Sequence, residues 1–367
     1  MENCTFTNCS NYTASEAPVT PMRDQTYRFF YILYALIAGV GMIGNGLVCF
    51  IVAKTRNGHF LSTEIFILSL AITDMLASLV VLFLPDLVIA KDSYPYPMNH
   101  LAVFCPVIGS QYLLFYFGFS SLYTMTAISL ERWCAIAFPS RYRSAFKASN
   151  VKIIVICIWL LALLLPIDNL LRYVENKNGS TPCHFIVLNN DRNLDLAVYL
   201  SLEFIRVFIP SIIIIIAYSD VARRVWTISK SSQKNEPSNR DVRIRKKVTL
   251  MVCISAFVFL LSWLPNEIYF TLINFGLARL ESIGHRSTKT LIILNSCLNP
   301  FIYFATNSKY RNTIKHICNK ENTNFASTSY FQVNNKPGIR SSRKFTSNFK
   351  VVPANSISVK PSIASVG

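Results

Sequence analysis

Long apolar runs alternate with short polar segments along this chain. Seven of the runs are long enough to cross a membrane as helices, which need roughly 17–25 mostly apolar residues each. In chain order they are Phe29–Ala53, Ile65–Ala90, Val107–Leu130, Lys152–Leu171, Leu196–Ser219, Val248–Phe275 and Lys289–Asn307. A closed β-barrel would instead show strands of about ten residues with alternating polarity. The pattern predicts an all-α membrane protein built as a bundle of seven transmembrane helices.

The polar segments complete the predicted organisation. Residues 1–26 form an N-terminal segment and residues 27–307 form the bundle. Residues 308–318 follow as a short amphipathic eighth helix beside the membrane, and residues 319–367 are a polar tail whose composition predicts disorder. The first 25 residues lack the basic and then apolar pattern of a secretory signal, so we predict that the first run itself directs insertion.

Composition and charge fix the predicted orientation. Hydrophobic residues make up 52% of the chain and charged residues 15%, against about 25% charged residues in soluble domains. The net charge is +17, and 24 of the 36 lysines and arginines follow the first, third, fifth and seventh runs. Basic residues mark the cytoplasmic side. We therefore predict a multi-pass protein of the plasma membrane with its N-terminus outside, and no binding of nucleic acid.

Glycosylation sequons agree with this orientation. They begin at Asn3, Asn8, Asn11 and Asn178. All four lie on the predicted outer side, where the acceptor pattern is glycosylated. The sequence therefore predicts a glycoprotein.

Cysteines on the predicted outer side can form disulfides. They are Cys4, Cys9, Cys105 and Cys183, which allow three pairings. We favour Cys105–Cys183, with either a local Cys4–Cys9 bond or no bond between those two. On the inner side, Cys318 follows the amphipathic stretch and is a palmitoylation candidate. An unmodified thiol at Cys318 is an equally good interpretation.

Ionisable residues within the apolar runs are costly and therefore candidates for function. Asp74 lies in the middle of the second run. With neutral oxygen donors around it, its carboxylate either holds a small cation or joins helices by hydrogen bonds. Arg132, beside Glu131 at the inner end of the third run, is either a membrane-edge anchor or a charged switch between two states.

Taken together, the polar and aromatic landmarks of the runs resemble those of the rhodopsin-like (class A) G-protein-coupled receptors. Every run contributes one. They are Asn45, Asp74 after "LSLAIT", Glu131-Arg132-Trp133, Trp159, Pro210 with Tyr218, "FLLSWLP" with Phe259, Trp263 and Pro265, and "NPFIY" at residues 299–303. The resemblance covers roughly residues 27–318 and implies a seven-helix receptor.

The resemblance also implies roles for the matching residues. A sodium pocket would consist of Asp74, Ser121, Asn295 and Asn299, with Asp74 as the charged ligand of an allosteric sodium ion and no other cofactor. An activation switch for a heterotrimeric G protein would consist of Glu131, Arg132, Tyr218, Trp263, Pro265 and Tyr303. In that family the arginine engages the G protein when the sixth helix swings outward.

Three departures from the family pattern affect these roles. Arg132 stands 27 residues after Cys105, two more than is usual, so the third helix starts later or carries a bulge. Ser140 occupies a position where many members have a bulky apolar residue that enters the G protein. The sixth helix is predicted to begin with Arg245 to Lys247 and to offer no acid to Arg132. Glu131 remains the obvious partner of Arg132.

The ligand class is predicted by elimination and by polarity. Ile293 replaces the lysine that visual-type opsins need, and Leu114 replaces the aspartate of amine receptors. The predicted ligand pocket consists of Gln111, Leu114, Glu203, Arg206, Asn266 and Lys289. Mixed polar and charged groups suit a peptide, so we predict a neuropeptide ligand. Alternatively Glu203 and Arg206 form an internal i, i+3 pair, or Arg206 or Lys289 holds a lipid or a small acid.

The tail adds predicted partners. Its candidate phosphate acceptors are Ser327, Thr328, Ser329, Ser341, Ser342, Thr346 and Ser347. Phosphorylation by a receptor kinase would add negative charge and recruit an arrestin. Alternatively, the basic residues of the tail bind anionic membrane lipids.

Other function classes fit the sequence less well. A transporter typically shows repeated halves, and the halves of this chain do not match. An enzyme needs a convergent nucleophile or metal set, whereas the five histidines are scattered. We predict a receptor rather than an enzyme, with a transporter as the remaining alternative.

Overall fold

Seven long helices account for the seven apolar runs in the computed structural model. It describes residues 21–56, 61–177, 181–186, 191–231, 239–279, 282–306 and 310–315, without the side chains of 21–24, 55–56, 92, 225–231 and 239–248. The helices are α1 (Pro21–Arg56), α2 (Ser62–Phe83), α3 (Tyr112–Ala137), α4 (Ala148–Leu164), α5 (Arg192–Glu203, Phe204–Phe208 and Ile209–Ser231), α6 (Asn239–Asn274) and α7 (Ile283–Thr306). The all-α, seven-helix prediction is confirmed.

Length and apolar composition qualify six of the described helical stretches, those that contain α1 to α6, as membrane spans. α7 has 24 residues, about 36 Å at 1.5 Å per residue, which is enough to cross a hydrocarbon core of about 30 Å. Its first turns carry His285, Arg286 and Lys289, which lower its hydropathy. His285 and Arg286 are buried against other helices, so these polar side chains of α7 face the interior of the bundle and not the lipid.

The helices turn apolar side chains outward, as a bilayer requires. On α4, for example, Ile153, Ile156 and Leu160 are exposed, while Val151 and Ala162 on the other face are buried. Lipid tails are as apolar as these side chains, so exposure here has no hydrophobic cost.

α3 is the central helix of the bundle. It packs against α2, α4, α5 and α6, while α1 packs on α2 and α7. Phe119, Leu122 and Met125 of α3 are fully buried and share one core cluster with Phe259 and Trp263 of α6. Side chains on the axis of the molecule are therefore carried mainly by α3.

Two helices end earlier than the apolar runs predicted. α2 ends at Phe83 rather than Ala90, because Leu84 is extended and Pro85 follows it. α4 ends at Leu164, before Pro166, and a separate short helix, Ile167–Arg172, continues the run. Proline lacks the N–H that a helix needs and disfavours helical backbone in the residue before it. Hydrophobicity alone therefore overestimated both lengths.

The start of α3 explains the two extra residues between Cys105 and Arg132. A π-helical turn, Cys105–Gly109, precedes the helix. Gln111 then adopts a left-handed conformation with φ of 61°, and α3 begins at the next residue. The Ser110 hydroxyl accepts a hydrogen bond from the Tyr112 amide at 3.2 Å. The expectation of a late start or a bulge is confirmed, and both features occur together.

A disulfide and a small hairpin close one end of the bundle, which we call the disulfide end. Strands β1 (Tyr173–Glu175) and β2 (Cys183–Phe185) pair antiparallel. Cys183 is bonded to Cys105, with 5.6 Å between their Cα atoms, so the favoured pairing is confirmed. Cys4 and Cys9 lie outside the described residues, as do the sequons at Asn3, Asn8, Asn11 and Asn178.

We call the opposite end of the bundle the Arg132 end. Residues 310–315 are helical there, within the predicted amphipathic stretch. The Tyr310 ring is buried against Tyr303 of α7, with 6.0 Å between ring centroids. Arg311 donates hydrogen bonds to the Phe304 and Ala305 carbonyls at 2.7 and 2.8 Å. Cys318 and the tail 319–367 lie outside the described residues.

Candidate functional site

A large cavity opens at the disulfide end. Its volume is about 320 Å³, and its walls carry both aromatic and charged side chains. Gln111 and Lys289 both line it, and the Lys289 ammonium donates to the Gln111 amide oxygen at 3.5 Å. Asp86, also in the wall, pairs with Arg286 of α7 at 2.8 Å. Two of the six predicted pocket residues therefore line this cavity.

A second, smaller cavity of about 50 Å³ adjoins the first. Phe115, Phe185 and Phe270 line both, so the two spaces are neighbours. Glu203, Arg206 and Asn266, three more of the predicted pocket residues, line the second cavity. They come from α5 and α6.

Arg206 is already engaged within the protein. Its guanidinium donates to the Asp168 carboxylate at 2.8 and 3.2 Å and pairs with Glu203 at 2.8 Å. The alternative of an internal i, i+3 pair between Glu203 and Arg206 is therefore confirmed. A ligand carboxylate held by Arg206 would have to displace two internal carboxylates.

Leu114 lies deeper than predicted. It lines a small third cavity of about 10 Å³, together with Asp74, Ser121 and Trp263, and it is buried. The prediction that it belongs to the same pocket as Gln111 is not supported. The left-handed turn at Gln111 starts α3 late, so Leu114 enters the aliphatic core and Gln111 takes the position in the outer cavity.

Asp74 is held by two helices in this third cavity. Its carboxylate accepts hydrogen bonds from the Ser121 hydroxyl and the Asn299 amide, both at 2.8 Å. Asn295 is buried in the same cavity wall, and its amide oxygen has no hydrogen-bond partner within the described part of the chain. Asn45 bonds instead to the Gly41 and Ser296 carbonyls, linking α1 to α7.

This donor set fits a sodium ion. It combines the Asp74 carboxylate, the Ser121 hydroxyl oxygen and the Asn295 amide oxygen. The Asn295 oxygen accepts no hydrogen bond from the described residues. Hard cations prefer such oxygen ligands. Within the described residues no group of three or more His, Cys, Asp or Glu side chains is arranged so that it could hold a metal ion, as a transition-metal site would require.

Trp263 lies directly above this cavity and packs on a glycine. Its ring stacks on Phe259, with 5.4 Å between centroids, and lies 5.8 Å from the Phe119 ring. A Cβ atom added to Gly118 would lie 2.4 Å from the indole, so the ring occupies this place only because residue 118 has no side chain. Pro265, two residues later, lies inside α6 and removes one helical hydrogen bond.

Glu131 and Arg132 are paired at the other end of α3. The Arg132 Nε donates to Glu131 at 2.6 Å, and its Nη2 bonds both Glu131 and the Thr63 hydroxyl. Tyr142 also donates to Glu131, at 2.8 Å. Burial, and then the charge of Glu131, raise the pKa of Tyr142 to about 12, so this hydroxyl keeps its proton. Glu131 is fully buried, and its carboxylate is satisfied by these donors.

The remaining predicted switch residues lie near this end. Tyr218 is buried beside Ser129 of α3, and Tyr303 is buried beside Tyr310. Neither tyrosine is hydrogen-bonded to Arg132 in the described contacts. α6 begins at Asn239, earlier than the predicted Arg245, so Asp241 belongs to the helix. The premise that α6 has no acid at this end is therefore wrong, although the structure describes only the backbone of Asp241.

Several residues that contact the site were missed from the sequence. Asp168 lies within the fourth apolar run, where the cost of a buried charge would have identified it. Asp220 of α5 accepts the Trp133 indole N–H at 2.9 Å and so links α3 to α5. Thr63 and Tyr142 carry no such signal, because neutral hydroxyl residues are common at helix ends and in loops.

Comparison with known proteins identifies relatives across most of the chain. A sequence model of the family "7 transmembrane receptor (rhodopsin family)" matches residues 44–303. Galanin receptor 2a of Danio rerio is 26% identical over 78% of this chain and 77% of its own length. Neuropeptide FF receptor 1 of Homo sapiens is 29% identical over 84% and 72%. Cysteinyl leukotriene receptor 1 of Cavia porcellus is 27% identical over 86% and 90%.

Proposed function

Because this chain belongs to the rhodopsin family of seven-transmembrane receptors, we propose that it detects an extracellular peptide and signals through a heterotrimeric G protein. The chain is a receptor and not an enzyme, as its relatives are receptors. The observation that carries the ligand class is the pair of adjoining cavities at the disulfide end, about 320 and 50 Å³, with charged groups of both signs in their walls. A peptide presents many polar groups and fills such a space.

The relatives support the same ligand class. The names galanin receptor, neuropeptide FF receptor and allatostatin-A receptor all refer to peptides. A lipid or small acid is the alternative that the leukotriene receptor represents. The internal engagement of Arg206 by Asp168 and Glu203 counts against an acid held there. Lys289 is the cation that an acidic ligand would use.

The proposed mechanism couples the cavities to the Arg132 end through α6. A ligand that contacts Phe115 or Phe119 displaces Trp263, which touches Phe119. α6 then pivots near Pro265, and its end beside Arg132 moves outward. Arg132 leaves Glu131 and engages the G protein. The ligand shifts this equilibrium only by binding the open state more tightly than the closed state.

The same proposal gives Asp74 a regulatory role. A sodium ion held by Asp74, Ser121, Asn295 and Asn299 would supply a positive charge at the centre of the closed bundle. Collapse of that cavity in the open state would expel the ion. Sodium would therefore favour the closed state.

We extend the proposal to the membrane and to inner partners. The disulfide end faces outward in the plasma membrane, since disulfides persist outside the cell and the basic segments lie on the other side. The N-terminal sequons and Asn178 are then accessible to glycosylation. The tail binds a receptor kinase and then an arrestin, Cys318 accepts a palmitoyl chain, and the basic residues contact membrane lipids.

A second-messenger assay in cells that express the chain tests this function. Pools of neuropeptides, amines and lipids are applied separately to wild type, Arg132→Ala and the control Arg28→Ala. Arg28 is an exposed arginine at the start of α1. We expect a response to the peptide pool that is retained in the control and lost in Arg132→Ala at equal surface expression.

The other outcomes separate the parts of the proposal. A response to the lipid pool alone would keep the receptor and contradict the peptide ligand. A peptide response that survives Arg132→Ala unchanged would contradict the role of Arg132. If every pool is silent, baseline signalling of wild type against Arg132→Ala decides whether the chain signals without a ligand.

A further inference from the structure

Three carboxylates surround one guanidinium in the second cavity. Arg206 pairs with Asp168 and Glu203, as described above, and Glu267 of α6 lines the same space. Glu203 and Glu267 are each 4% exposed. Arg172 also lines the cavity, but its guanidinium is bound by Asp195 at 2.8 and 3.0 Å. The subsite formed by Asp168, Glu203, Arg206 and Glu267 therefore carries an excess of negative charge.

The Glu203 and Glu267 carboxyl groups leave an acceptor without a donor. One oxygen of Glu203 binds Arg206, while the other, Oε2, is buried and has no donor in the described part of the chain. The Glu267 carboxyl group lies beside it, and in its ionised form that group is a second acceptor and not a donor. The Asn266 amide donates to Glu267 at 3.2 Å. Two buried acceptors that face each other need a proton or a cationic donor between them, because an unsatisfied buried carboxylate is strongly penalised.

The surroundings of this pair suit an organic cation on a long stem. Aromatic rings of Tyr199 and Phe270 form part of the wall, and the faces of such rings attract guanidinium and ammonium groups. Phe119 of the same wall already lies under the Arg206 guanidinium, 5.8 Å from its ring centroid. The Tyr199 side chain is itself buried in this wall. The subsite adjoins the larger outer cavity, so a side chain can reach it from a peptide that lies there.

We infer that the subsite around Glu203 and Glu267 binds a basic side chain, arginine or lysine, of the receptor's peptide ligand. This inference rests on the proposed peptide-receptor function and specifies the ligand further. In the empty protein one of the two carboxyls carries a proton. On binding, the ligand's N–H groups donate to both carboxylates, and the proton is released to water. Arg206 fixes the second oxygen of Glu203 and keeps Asp168 away from the ligand.

A fragment experiment tests the subsite without any knowledge of the peptide. The full chain is purified in lipid nanodiscs, and its Tm is measured with about 50 mM ethylguanidinium chloride or its neutral analogue ethylurea. We expect ethylguanidinium to raise the Tm of wild type by about 2 °C relative to ethylurea, because a ligand that binds only the folded state stabilises it. The difference disappears in Glu267→Gln and in Glu203→Gln. It persists in Glu175→Gln, which changes a carboxyl on strand β1.

The outcomes of the fragment experiment are decisive for the subsite. Equal effects of the two fragments on wild type would overturn the inference. A Tm advantage for ethylguanidinium that survives both Gln variants would place the cation elsewhere and would also overturn it. If acidification raises the Tm of wild type but not of Glu267→Gln, and ethylguanidinium has no effect, Glu203 and Glu267 bind a proton and not a basic group of a ligand. That result would also overturn the inference.

A second experiment links the subsite to signalling. Two mixtures of amidated hexapeptides are used, randomised at five positions and carrying either arginine or citrulline at the sixth. Citrulline keeps the shape of arginine without its charge. We expect the arginine mixture to activate wild type with an EC50 at least tenfold lower than the citrulline mixture, and Glu267→Gln to abolish that difference. Equal potencies on wild type would contradict the inference, whereas a response that Arg132→Ala leaves intact would contradict the proposed function instead.

Discussion

The position of the Trp263 ring depends on the absence of a side chain at residue 118. A Cβ atom on residue 118 would lie only 2.4 Å from the Cη2 atom of the Trp263 ring. The sequence predicted an important tryptophan before Pro265, but nothing in the local pattern connected it to Gly118. Only the packing of α3 against α6 brings these two residues together.

The change Gly118→Ala tests this contact. The added methyl forces Trp263 out of its stack on Phe259, and overpacking of a filled core costs typically about 1–3 kcal/mol. We expect a Tm several degrees below wild type, together with a weaker maximal response to the peptide pool. The measurement is thermal unfolding of the purified protein alongside the second-messenger assay.

Gly39→Ala is the matched control for this change. Gly39 is also in a transmembrane helix, and an added Cβ there meets no atom within 4 Å. Because alanine has the higher helix propensity, this variant is expected to be neutral or slightly stabilised. A Gly118→Ala protein as stable as Gly39→Ala would show that Trp263 adapts freely and is not held by this contact.

At the scale of elements, the helices that line the cavities are irregular. π-helical turns occur at Cys105–Gly109 before α3 and at Phe204–Phe208 within α5, the second of which contains Arg206. Such turns insert a residue into the helical ladder and are frequent at functional sites. Here the α5 turn carries the guanidinium that organises the acidic subsite. The irregular backbone therefore serves to aim side chains into the cavity.

The left-handed residue Gln111 gives a test of the α3 start. Residues other than glycine are disfavoured at a φ of 61°, and β-branched residues are disfavoured most. We expect Gln111→Gly to be more stable than Gln111→Val by about 2 kcal/mol, an estimate from the cost of left-handed backbone. The measurement is the Tm of both variants in the same nanodiscs.

The same two substitutions at Leu113 provide the control. Leu113 lies in the first turn of α3 with ordinary helical geometry. Glycine is the poorer helix former there, so Leu113→Val should be the more stable variant and the order reverses. If valine is also better than glycine at position 111, the left-handed conformation of Gln111 is not formed in the protein.

At the scale of the whole molecule, a line of buried polar groups joins the two ends. It runs from the acidic subsite through Trp263 and Asp74 to the Glu131–Arg132 pair, and its members come from five helices. Buried polar groups in a membrane bundle are costly unless they are partnered. Their arrangement in two discrete states is the physical basis of the proposed coupling between ligand and G protein.

Sodium binding at Asp74 tests the middle of this line. The purified protein is heated in sodium chloride and in choline chloride at equal ionic strength. At about ten times its Kd, sodium is expected to stabilise wild type by about 1.4 kcal/mol, or roughly 3 °C in Tm. In Asp74→Asn the two salts give the same Tm, because Asp74 is the only carboxylate among the described residues that line the cavity.

Asp86→Asn is the control for the sodium experiment. Asp86 belongs to the outer cavity and pairs with Arg286, away from the third cavity. Its loss lowers the Tm in both salts but leaves the difference between them. Identical Tm values of wild type in the two salts would reject the sodium site and leave Asp74 as a residue that joins α2, α3 and α7 by hydrogen bonds.

The amino-acid sequence by itself determined the architecture. Seven apolar runs, and the clustering of basic residues after alternate runs, follow from local composition, because a bilayer admits only apolar helices of sufficient length. The Cys105–Cys183 bond was the favoured one of three possible pairings, and the structure decided it. The family resemblance then located Asp74, Arg132 and Trp263. Each of these predictions depends on short stretches of chain, within which hydrophobicity and spacing are reliable.

The tertiary structure alone decided which charges meet. Asp168, Glu203, Arg206 and Glu267 come from three separate segments of the chain, and their partners cannot be read from spacing, apart from the i, i+3 pair of Glu203 and Arg206. The late start of α3 moved Leu114 out of the predicted pocket and left Gln111 in it, through a backbone conformation at one residue. Burial strengthens interactions between charges and penalises acceptors that lack donors. The specificity of this receptor therefore depends on three-dimensional contacts, whereas its membrane topology depends on composition.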